Sequence, residues 1–239
     1  MDLNKKTAII TGSGRGIGKD IALTLAKEGC NIVITSRTKD QLDKVAAELE
    51  KNSAGFLSLA LDMAKKEDID ILVDETLKKF KSIDILINNA SVLYSEPFLE
   101  SSDEVWDKTF NVNLKSVFLL SRKVLKLMCE RKSGYIINIS STAALGVSPL
   151  IAAYGISKLA VSGLSQVLYE TGKEFGVKVS TIYPGMTDTE MLRGFNPPVE
   201  SKKWMMPEDI TGCVMFLLKQ SERVVIKDII PWAARHDQI

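Results

Sequence analysis

The sequence predicts a single α/β domain over residues 1–239, in which a doubly wound, mostly parallel sheet of seven strands carries helices on both faces. Short β-branched runs alternate with longer amphipathic segments along the whole chain. Several runs are apolar at nearly every residue, as expected of strands covered on both faces of a parallel sheet. A chain of 239 residues can bury roughly 70–75% of its unfolded surface, so it needs no disulfide to hold its core.

The elements follow the chain in a regular strand–helix order, and right-handed crossovers follow from that order. Strands are predicted at residues 7–11, 31–35, 55–61, 83–88, 134–140, 178–183 and 224–230. Helices are predicted near residues 17–28, 39–51, 66–79, 103–131, 150–175 and 207–219. The segment 186–206 has two adjacent prolines, Pro197 and Pro198, and no clear period.

Composition excludes several classes of partner. The chain has 31 basic and 30 acidic residues, whereas a nucleic-acid partner would require a basic face. Cys30, Cys129 and Cys213 lie far apart and His236 is the single histidine, so we expect neither a disulfide frame nor a metal site. No apolar run approaches the ~18 residues of a membrane span and no signal core is evident, so we expect a cytoplasmic protein without membrane contact.

A glycine-rich loop follows the first predicted strand and leads into a helix. Four glycines in such a turn allow close approach to a phosphate, and the helix that follows presents free N–H groups to an anion. The loop therefore predicts a dinucleotide site, although glycines also serve as simple turn residues. Its candidate cofactor-binding residues are Gly12, Ser13, Gly14, Arg15, Gly16, Ile17 and Gly18.

Polar residues follow several later strands, where a sheet of this kind places its ligands. Asn88-Asn89-Ala90 follows the fourth strand, Ser140-Ser141 the fifth and Pro184-Gly185 the sixth. Tyr154 and Lys158 are four residues apart near a helix start, so their side chains share one helix face. Taken alone, this pair is more typical of an aromatic contact beside a solvated lysine, and only its place in the order of the motifs makes it informative.

The order of these motifs resembles the short-chain dehydrogenase/reductase family over residues 5–219, most closely its 3-oxoacyl-carrier-protein reductase-like and carbonyl-reductase-like branches. The resemblance implies a Rossmann fold and hydride transfer between a nicotinamide cofactor and a carbonyl or secondary alcohol. It assigns catalytic roles to Asn113, Ser141, Tyr154 and Lys158. Asn111 is an alternative to Asn113, and either asparagine could instead cap a helix break.

The family roles have a physical basis in these side chains. Tyr154 would be the general acid–base, and a nearby Lys158 cation would lower its pKa by ~1–3 units. Lys158 would also bind the nicotinamide ribose. Ser141 would hold the substrate carbonyl oxygen, and Asn113 would kink a helix and anchor a relay water.

The end of the second strand indicates which cofactor is bound. No acid stands at the position that binds the ribose 2′-hydroxyl of NAD, and Asp40 is expected in the first turn of the next helix. Arg15 and Arg37 offer guanidinium groups suited to a 2′-phosphate, so we expect NADP(H). The alternative is that both arginines are exposed surface residues. The resemblance adds further cofactor-binding candidates, which are Asp62, Met63, Asn88, Asn89, Ala90, Tyr154, Lys158, Pro184, Gly185, Thr187 and Thr189.

Substrate identity is expected to depend on residues 91–98, 145–151 and 188–206. The last segment is rich in large apolar side chains and is interpreted as a substrate lid, or equally as packing for short helices; these side chains are Met191, Leu192, Phe195, Trp204, Met205 and Met206. A 3-oxoacyl thioester, a small ketone, a hydroxy acid, a sugar-derived carbonyl and an amino-acid-derived carbonyl all remain open as substrates, as does a non-catalytic NADP(H)-binding regulatory module.

The C-terminus departs from the family pattern, because its last predicted strand lacks the usual glycines. The glycine-rich ending normally packs at a subunit interface, so the usual homotetramer is in doubt. A homodimer through the helices near 103–131 and 150–175 is the other expectation.

Overall fold

A computed structural model describes residues 2–51, 55–195 and 204–234. Its strands form one seven-stranded sheet in the order β3-β2-β1-β4-β5-β6-β7, and every neighbouring pair is parallel. The predicted doubly wound fold is confirmed. The strands are β1 (Thr7–Thr11), β2 (Asn31–Ser36), β3 (Phe56–Ala60), β4 (Ile85–Asn88), β5 (Gly134–Ile139), β6 (Val177–Ile182) and β7 (Asp228–Ile229).

Helices separate the strands and cover both faces of the sheet. They are α1 (Gly16–Lys27), α2 (Lys39–Lys51), α3 (Lys66–Phe80), α4 (Asp103–Phe110), α5 (Ser116–Arg131), α6 (Ala152–Gly172), α7 (Glu190–Phe195) and α8 (Pro207–Leu218). None of the helices in the described ranges is long and apolar enough to cross a bilayer.

The core forms two layers because successive strand residues face opposite sides of the sheet. Ile10 and Ile32 pack in the layer that contains α1, α2 and α8. Ile9 and Val33 pack in the layer that contains α3, α5 and α6. Both faces of the sheet are thus buried, which explains why the strands are apolar at nearly every position.

Three elements differ from the prediction. The helix predicted over 103–131 is divided by a π-helical segment, Asn111–Lys115. The strand predicted over 224–230 contains only Asp228–Ile229, because it pairs with β6 alone and is soon followed by Pro231, which has no N–H to donate. α7 was not predicted, since six residues are too few to show a helical period.

Candidate active site

A cleft of about 950 Å³ lies across the carboxyl ends of the strands. Its walls come from the glycine-rich loop, the loops after β2 to β6, α7 and the C-terminal segment. Parallel strands place all these loops at one edge of the sheet, which is where open α/β sheets bind ligands. The motifs that the sequence singles out are therefore brought together in one cavity.

The glycine-rich loop is packed tightly against the turn after β4. Gly12 has φ +65°, and a Cβ added there would lie 2.8 Å from the Cα of Ala90. Asn89 Nδ2 donates to the carbonyl oxygens of Thr11 at 2.9 Å and Gly12 at 3.1 Å. A side chain in place of Gly18 would meet Asn89 Nδ2 at 2.5 Å. Asn89 therefore holds the loop in shape, and the small residues permit that approach.

Most residues predicted for the loop line the cleft, but two do not. Gly12, Gly14, Arg15, Gly16 and Ile17 border the cavity, whereas Ser13 and Gly18 are absent from its lining. Ser13 is fully buried, and its hydroxyl donates to Ile10 O at 2.9 Å. Ser13 and Gly18 are therefore placed to maintain the structure of the loop and not to contact a ligand in the cavity.

Tyr154 and Lys158 both border the cleft from α6. The Lys158 side chain is buried, with 3% of the residue exposed, and its Nζ donates to Ile139 O at 2.9 Å. Nζ also lies 5.7 Å from the centre of the Tyr154 ring. The four-residue spacing thus places the ammonium beside the phenol ring, and the β5 carbonyl fixes its position.

Burial changes the proton affinity of both groups. It raises the pKa of the Tyr154 phenol, and a hydrogen bond with Ser141 offsets part of that rise. The lowering of this pKa by Lys158 that the sequence predicts is not found, because burial dominates and the ammonium is directed to the Ile139 carbonyl. A phenol with a raised pKa stays protonated at neutral pH, and this is the form that a proton donor needs.

Asn113 lies in the π-helical segment and is completely buried. Its Nδ2 donates to Val92 O at 2.9 Å and Ser157 Oγ at 3.0 Å. Its Oδ1 accepts from Val92 N at 2.8 Å and Ser91 Oγ at 3.1 Å. These four bonds use the full capacity of the amide, so the side chain has no free group for a relay water. Asn113 instead ties the loop after β4 to α6, one turn from Tyr154.

Ser141 begins the short 3₁₀ turn after β5. Its Oγ accepts from Ala143 N at 3.1 Å, and the same hydroxyl lies against the Tyr154 phenol. Thr142 N donates to Pro184 O at 3.0 Å, which links this turn to the loop after β6. Ser141 therefore faces the cleft on the same side as Tyr154.

The residues predicted to hold the adenosine end of a cofactor lie after β1, β2 and β3. Arg15, Arg37, Asp62 and Met63 all border the cleft. Arg15 forms an ion pair with Glu190 of α7, while Arg37 is exposed. Two guanidinium groups thus face one end of the cavity, and one of them already has an anionic partner.

The segment after β6 bends over the glycine-rich loop. Pro184, Gly185, Thr187 and Thr189 border the cleft; a Cβ added at Gly16 would contact Thr189 Cγ2 at 3.2 Å. Thr187 Oγ1 donates to Gly185 O at 3.0 Å, so its side chain stabilises the turn.

Of the apolar side chains predicted for the lid, three line the cleft, Met205 lies in the core and Met206 is exposed. Met191, Leu192 and Phe195 line the cleft. Met205 is buried in the core, with its backbone N donating to Met186 O at 2.9 Å. Residues 196–203 of the predicted lid lie outside the described part of the chain.

Trp232 and Ala233 also line the cleft, a position that the sequence motifs do not predict. Gly185 N donates to Pro231 O at 3.1 Å, and Tyr183 N donates to Ile229 O at 2.8 Å. These bonds carry the C-terminal segment along the loop after β6 and into the cavity. A tryptophan within an otherwise polar tail is the signal that could have indicated this position.

Replacing Lys158 by methionine should stabilise the fold while removing a site residue. Burial lowers the Lys158 pKa from 10.5 to about 8, which corresponds to about 3 kcal/mol of unfavourable free energy at pH 7. The lost hydrogen bond to Ile139 offsets about 1 kcal/mol, so we expect Lys158→Met to melt several degrees higher in a thermal denaturation at pH 7.

The pH dependence and a control variant test the cause. The pKa of Lys158 is lower in the folded than in the unfolded protein. The stability difference between Lys158→Met and the wild type should therefore shrink as pH rises from about 8 to about 10. Lys178→Met is the contrast, because Lys178 Nζ donates to the carbonyls of Ser221 at 2.7 Å and Val224 at 2.8 Å, and its loss should destabilise. A Lys158→Met protein that melts below the wild type would contradict the conclusion that the buried Lys158 ammonium destabilises the fold.

Comparison with known proteins agrees with this fold. The family model for short chain dehydrogenases matches residues 6–200. An uncharacterized oxidoreductase of Staphylococcus aureus (strain MRSA252) is 34% identical over 227 residues, which cover 95% of this chain and 96% of that protein. A similar uncharacterized oxidoreductase of Staphylococcus saprophyticus is 34% identical over 230 residues, covering 96% of this chain and 97% of that protein.

Solved structures show the same architecture. An alcohol dehydrogenase from the archaeon Thermococcus sibiricus, complexed with 5-hydroxy-NADP, superposes with a TM-score of 0.90 at 26% identity, covering 99% of this chain and 100% of that one. A levodione reductase superposes with a TM-score of 0.89 at 25% identity, covering 95% of this chain and 96% of that one. The chain belongs to the short-chain dehydrogenase family. It is an oxidoreductase of that family.

Proposed function

We propose that the protein is an NADP(H)-dependent oxidoreductase that transfers hydride reversibly between nicotinamide C4 and a carbonyl or secondary alcohol. The observation that carries the proposal is the meeting of Ser141, Tyr154 and Lys158 in the same cleft as the glycine-rich loop. A dinucleotide bound along that loop would extend across the strand ends towards these three side chains.

The cavity fits a dinucleotide phosphate group. At Gly12 and Gly14 an added Cβ would meet Ala90 Cα and Ser36 Oγ at 2.8 Å, so glycine lets the loop pack closely against the segment after β4 and the end of β2, and both residues border the cleft. The N-terminus of α1 follows the loop and favours an anion. Arg15 and Arg37 are the candidates for a 2′-phosphate, which supports NADP(H) over NAD(H). The Thermococcus neighbour, solved with an NADP derivative, supports the same choice.

The proposed mechanism assigns one task to each site residue. The glycine-rich loop, Arg15 and Arg37 would hold NADPH, which would supply the hydride that reduces the carbonyl carbon. Tyr154 gives its phenolic proton to the carbonyl oxygen, and Ser141 donates a hydrogen bond to that oxygen as negative charge develops. Lys158 places a positive charge beside the phenol, which stabilises the phenolate left behind.

Asn113 is proposed as a positioning residue, because its saturated amide joins Val92 to Ser157. Ser157 Oγ in turn donates to Tyr154 O at 2.7 Å. Any relay water beside Lys158 would need other partners than the Asn113 side chain.

The substrate candidates are a 3-oxoacyl thioester, a small ketone and a hydroxy acid, and a cytoplasmic homodimer or homotetramer is part of the proposal. Exposed apolar side chains on α5 and α6 support self-association; they include Phe118, Leu159 and Val167. A non-catalytic NADP(H)-binding module is the alternative function.

A panel of aldehydes, ketones, diketones and 3-oxoacyl thioesters tests the proposal. We expect NADPH absorbance to fall with at least one compound, and kcat/KM to be higher with NADPH than with NADH. Silence across the panel together with tight NADPH binding would favour the regulatory module. A higher kcat/KM with NADH would contradict the assigned cofactor.

A further inference from the structure

Trp232 is a large aromatic side chain at the cleft that the proposed reaction does not use. It borders the cavity, and 57% of the residue is exposed. Ligand pockets are lined mainly by apolar and aromatic side chains, and an indole offers a large flat area for a bound molecule to cover. What Trp232 contacts therefore depends on where the fold places it relative to the reacting groups.

Three neighbouring strands place Trp232 near Ser141. β5, β6 and β7 lie side by side, and each is followed by a segment that borders the cleft. In the turn after β5, Thr142 N donates to Pro184 O at 3.0 Å, and the next N–H of the loop after β6 donates to Pro231 O at 3.1 Å. Two strand spacings correspond to roughly 10 Å, a distance that a substituent the size of a phenylethyl group can span.

The backbone that carries Trp232 is held in place, although β7 has only two residues. Tyr183 N donates to Ile229 O at 2.8 Å, and the Tyr183 hydroxyl donates to Asp228 Oδ1 at 2.9 Å. A Cβ built on Gly185 would lie 3.7 Å from the Cα of Trp232. The C-terminal segment therefore forms a wall of the cleft that is fixed directly to the loop after β6.

The loop after β6 and α7 supply further side chains that suit a flat apolar group. Rings pack favourably against other aromatic rings and against methionine sulfur. The side chains of this kind, and the leucine among them, are Met186, Met191, Leu192 and Phe195.

We infer that Trp232 is a specificity-determining residue, which selects carbonyl compounds that carry an apolar ring in the substituent on the carbonyl carbon. The inference rests on the proposed function, because Ser141 and Tyr154 define where the carbonyl lies. With the carbonyl there, a substituent that extends along the ends of β6 and β7 lies against the indole, where ring packing adds to the burial of apolar area. A ketone with a ring is therefore preferred to one with an unbranched chain.

A matched substrate pair tests this inference. 4-Phenylbutan-2-one and octan-2-one are both methyl ketones with a substituent of similar length, which ends in a ring only in the first compound. With NADPH we expect kcat/KM to be about 2–10-fold higher for the ring compound. Equal values, or a preference for octan-2-one, would overturn the inference.

Variants of Trp232 test whether the indole causes this preference. Trp232→Ala should bring the ratio of the two kcat/KM values close to one, whereas Trp232→Phe keeps a ring and should retain most of it. Trp106 stacks on Phe110 with ring centres 4.3 Å apart and does not border the cleft, so Trp106→Ala should leave the ratio unchanged. An unchanged ratio in Trp232→Ala would contradict the role given to Trp232.

A binding measurement separates this inference from the proposed reaction. NADP⁺ cannot reduce a ketone, so ligand-observed NMR in its presence measures the Kd of 4-phenylbutan-2-one without turnover. We expect this Kd to rise about tenfold in Trp232→Ala. That rise without any turnover of the ketones with NADPH would sustain the inference and defeat the proposed reaction. An equal Kd in Trp232→Ala and the wild type would defeat the inference whatever the turnover.

Discussion

Tyr154→Phe should lower kcat by about 10²–10⁴-fold while the Kd for NADPH changes by no more than a few-fold. The substitution removes the only proton that the proposed mechanism gives to the carbonyl oxygen. The ring and its contact with Lys158 Nζ, 5.7 Å from the ring centre, are retained. Steady-state oxidation of NADPH and fluorescence titration of the cofactor measure the two quantities separately.

Tyr169→Phe is the matched control for this experiment. Tyr169 lies on the same helix, α6, but does not border the cleft, so its phenol should be dispensable for turnover. Rates like those of the wild type in Tyr154→Phe would remove the proposed acid. An equal loss in both variants would show that damage to α6, not loss of a proton donor, is the cause.

Replacing Arg15 and Arg37 together by alanine should abolish the preference for NADPH over NADH. A hydrogen bond between a charged donor and a phosphate contributes about 1.5–3 kcal/mol, so each arginine accounts for roughly 10–100-fold in affinity. Only NADPH carries the 2′-phosphate, and kcat/KM with NADH should change little. The measurement is kcat/KM with each cofactor at saturating carbonyl substrate.

Two further variants sharpen this result. Lys39 is an exposed cation close to Arg37 in the sequence; it is paired with Asp43 and does not border the cleft. Lys39→Ala should therefore retain the preference for NADPH over NADH. Glu190→Gln removes the carboxylate paired with Arg15 and should strengthen NADPH binding by about 2–5-fold. An unchanged preference in the double arginine variant would contradict the NADP(H) assignment.

The sequence predicts the sheet well because the strands are buried on both faces. Ile9, Ile10 and their neighbours must be apolar on either side of the sheet, and this requirement is visible as continuous β-branched runs. β7 is poorly predicted for the opposite reason. It lies at the edge of the sheet, where pairing with one neighbour and the nearby Pro231 limit it to two residues.

The sequence predicts the site residues whose type is required by the local backbone or by helical spacing. It predicts less well the positions that depend on contacts between residues far apart in the sequence. The glycines and the Tyr154–Lys158 spacing carry their own geometric signal. The π-helical segment at Asn113 depends on bonds to Val92 and Ser157, which are distant in sequence. The ion pair of Arg15 with Glu190 and the position of Trp232 in the cleft likewise depend on how separate loops meet.

The direction of the Tyr154 pKa shift is another property that cannot be predicted from local sequence. Spacing alone indicates that Lys158 is near, and nearness suggests a lowered pKa. Burial of the phenol raises the pKa instead, and burial depends on how the whole cleft closes around α6.

A crystal structure of the protein with NADP⁺ tests the central claim most directly. We expect the nicotinamide ring beside the Tyr154 hydroxyl, with Lys158 Nζ within hydrogen-bonding distance of the adjoining ribose. A cofactor whose nicotinamide end lies away from these two side chains would contradict the proposed hydride transfer.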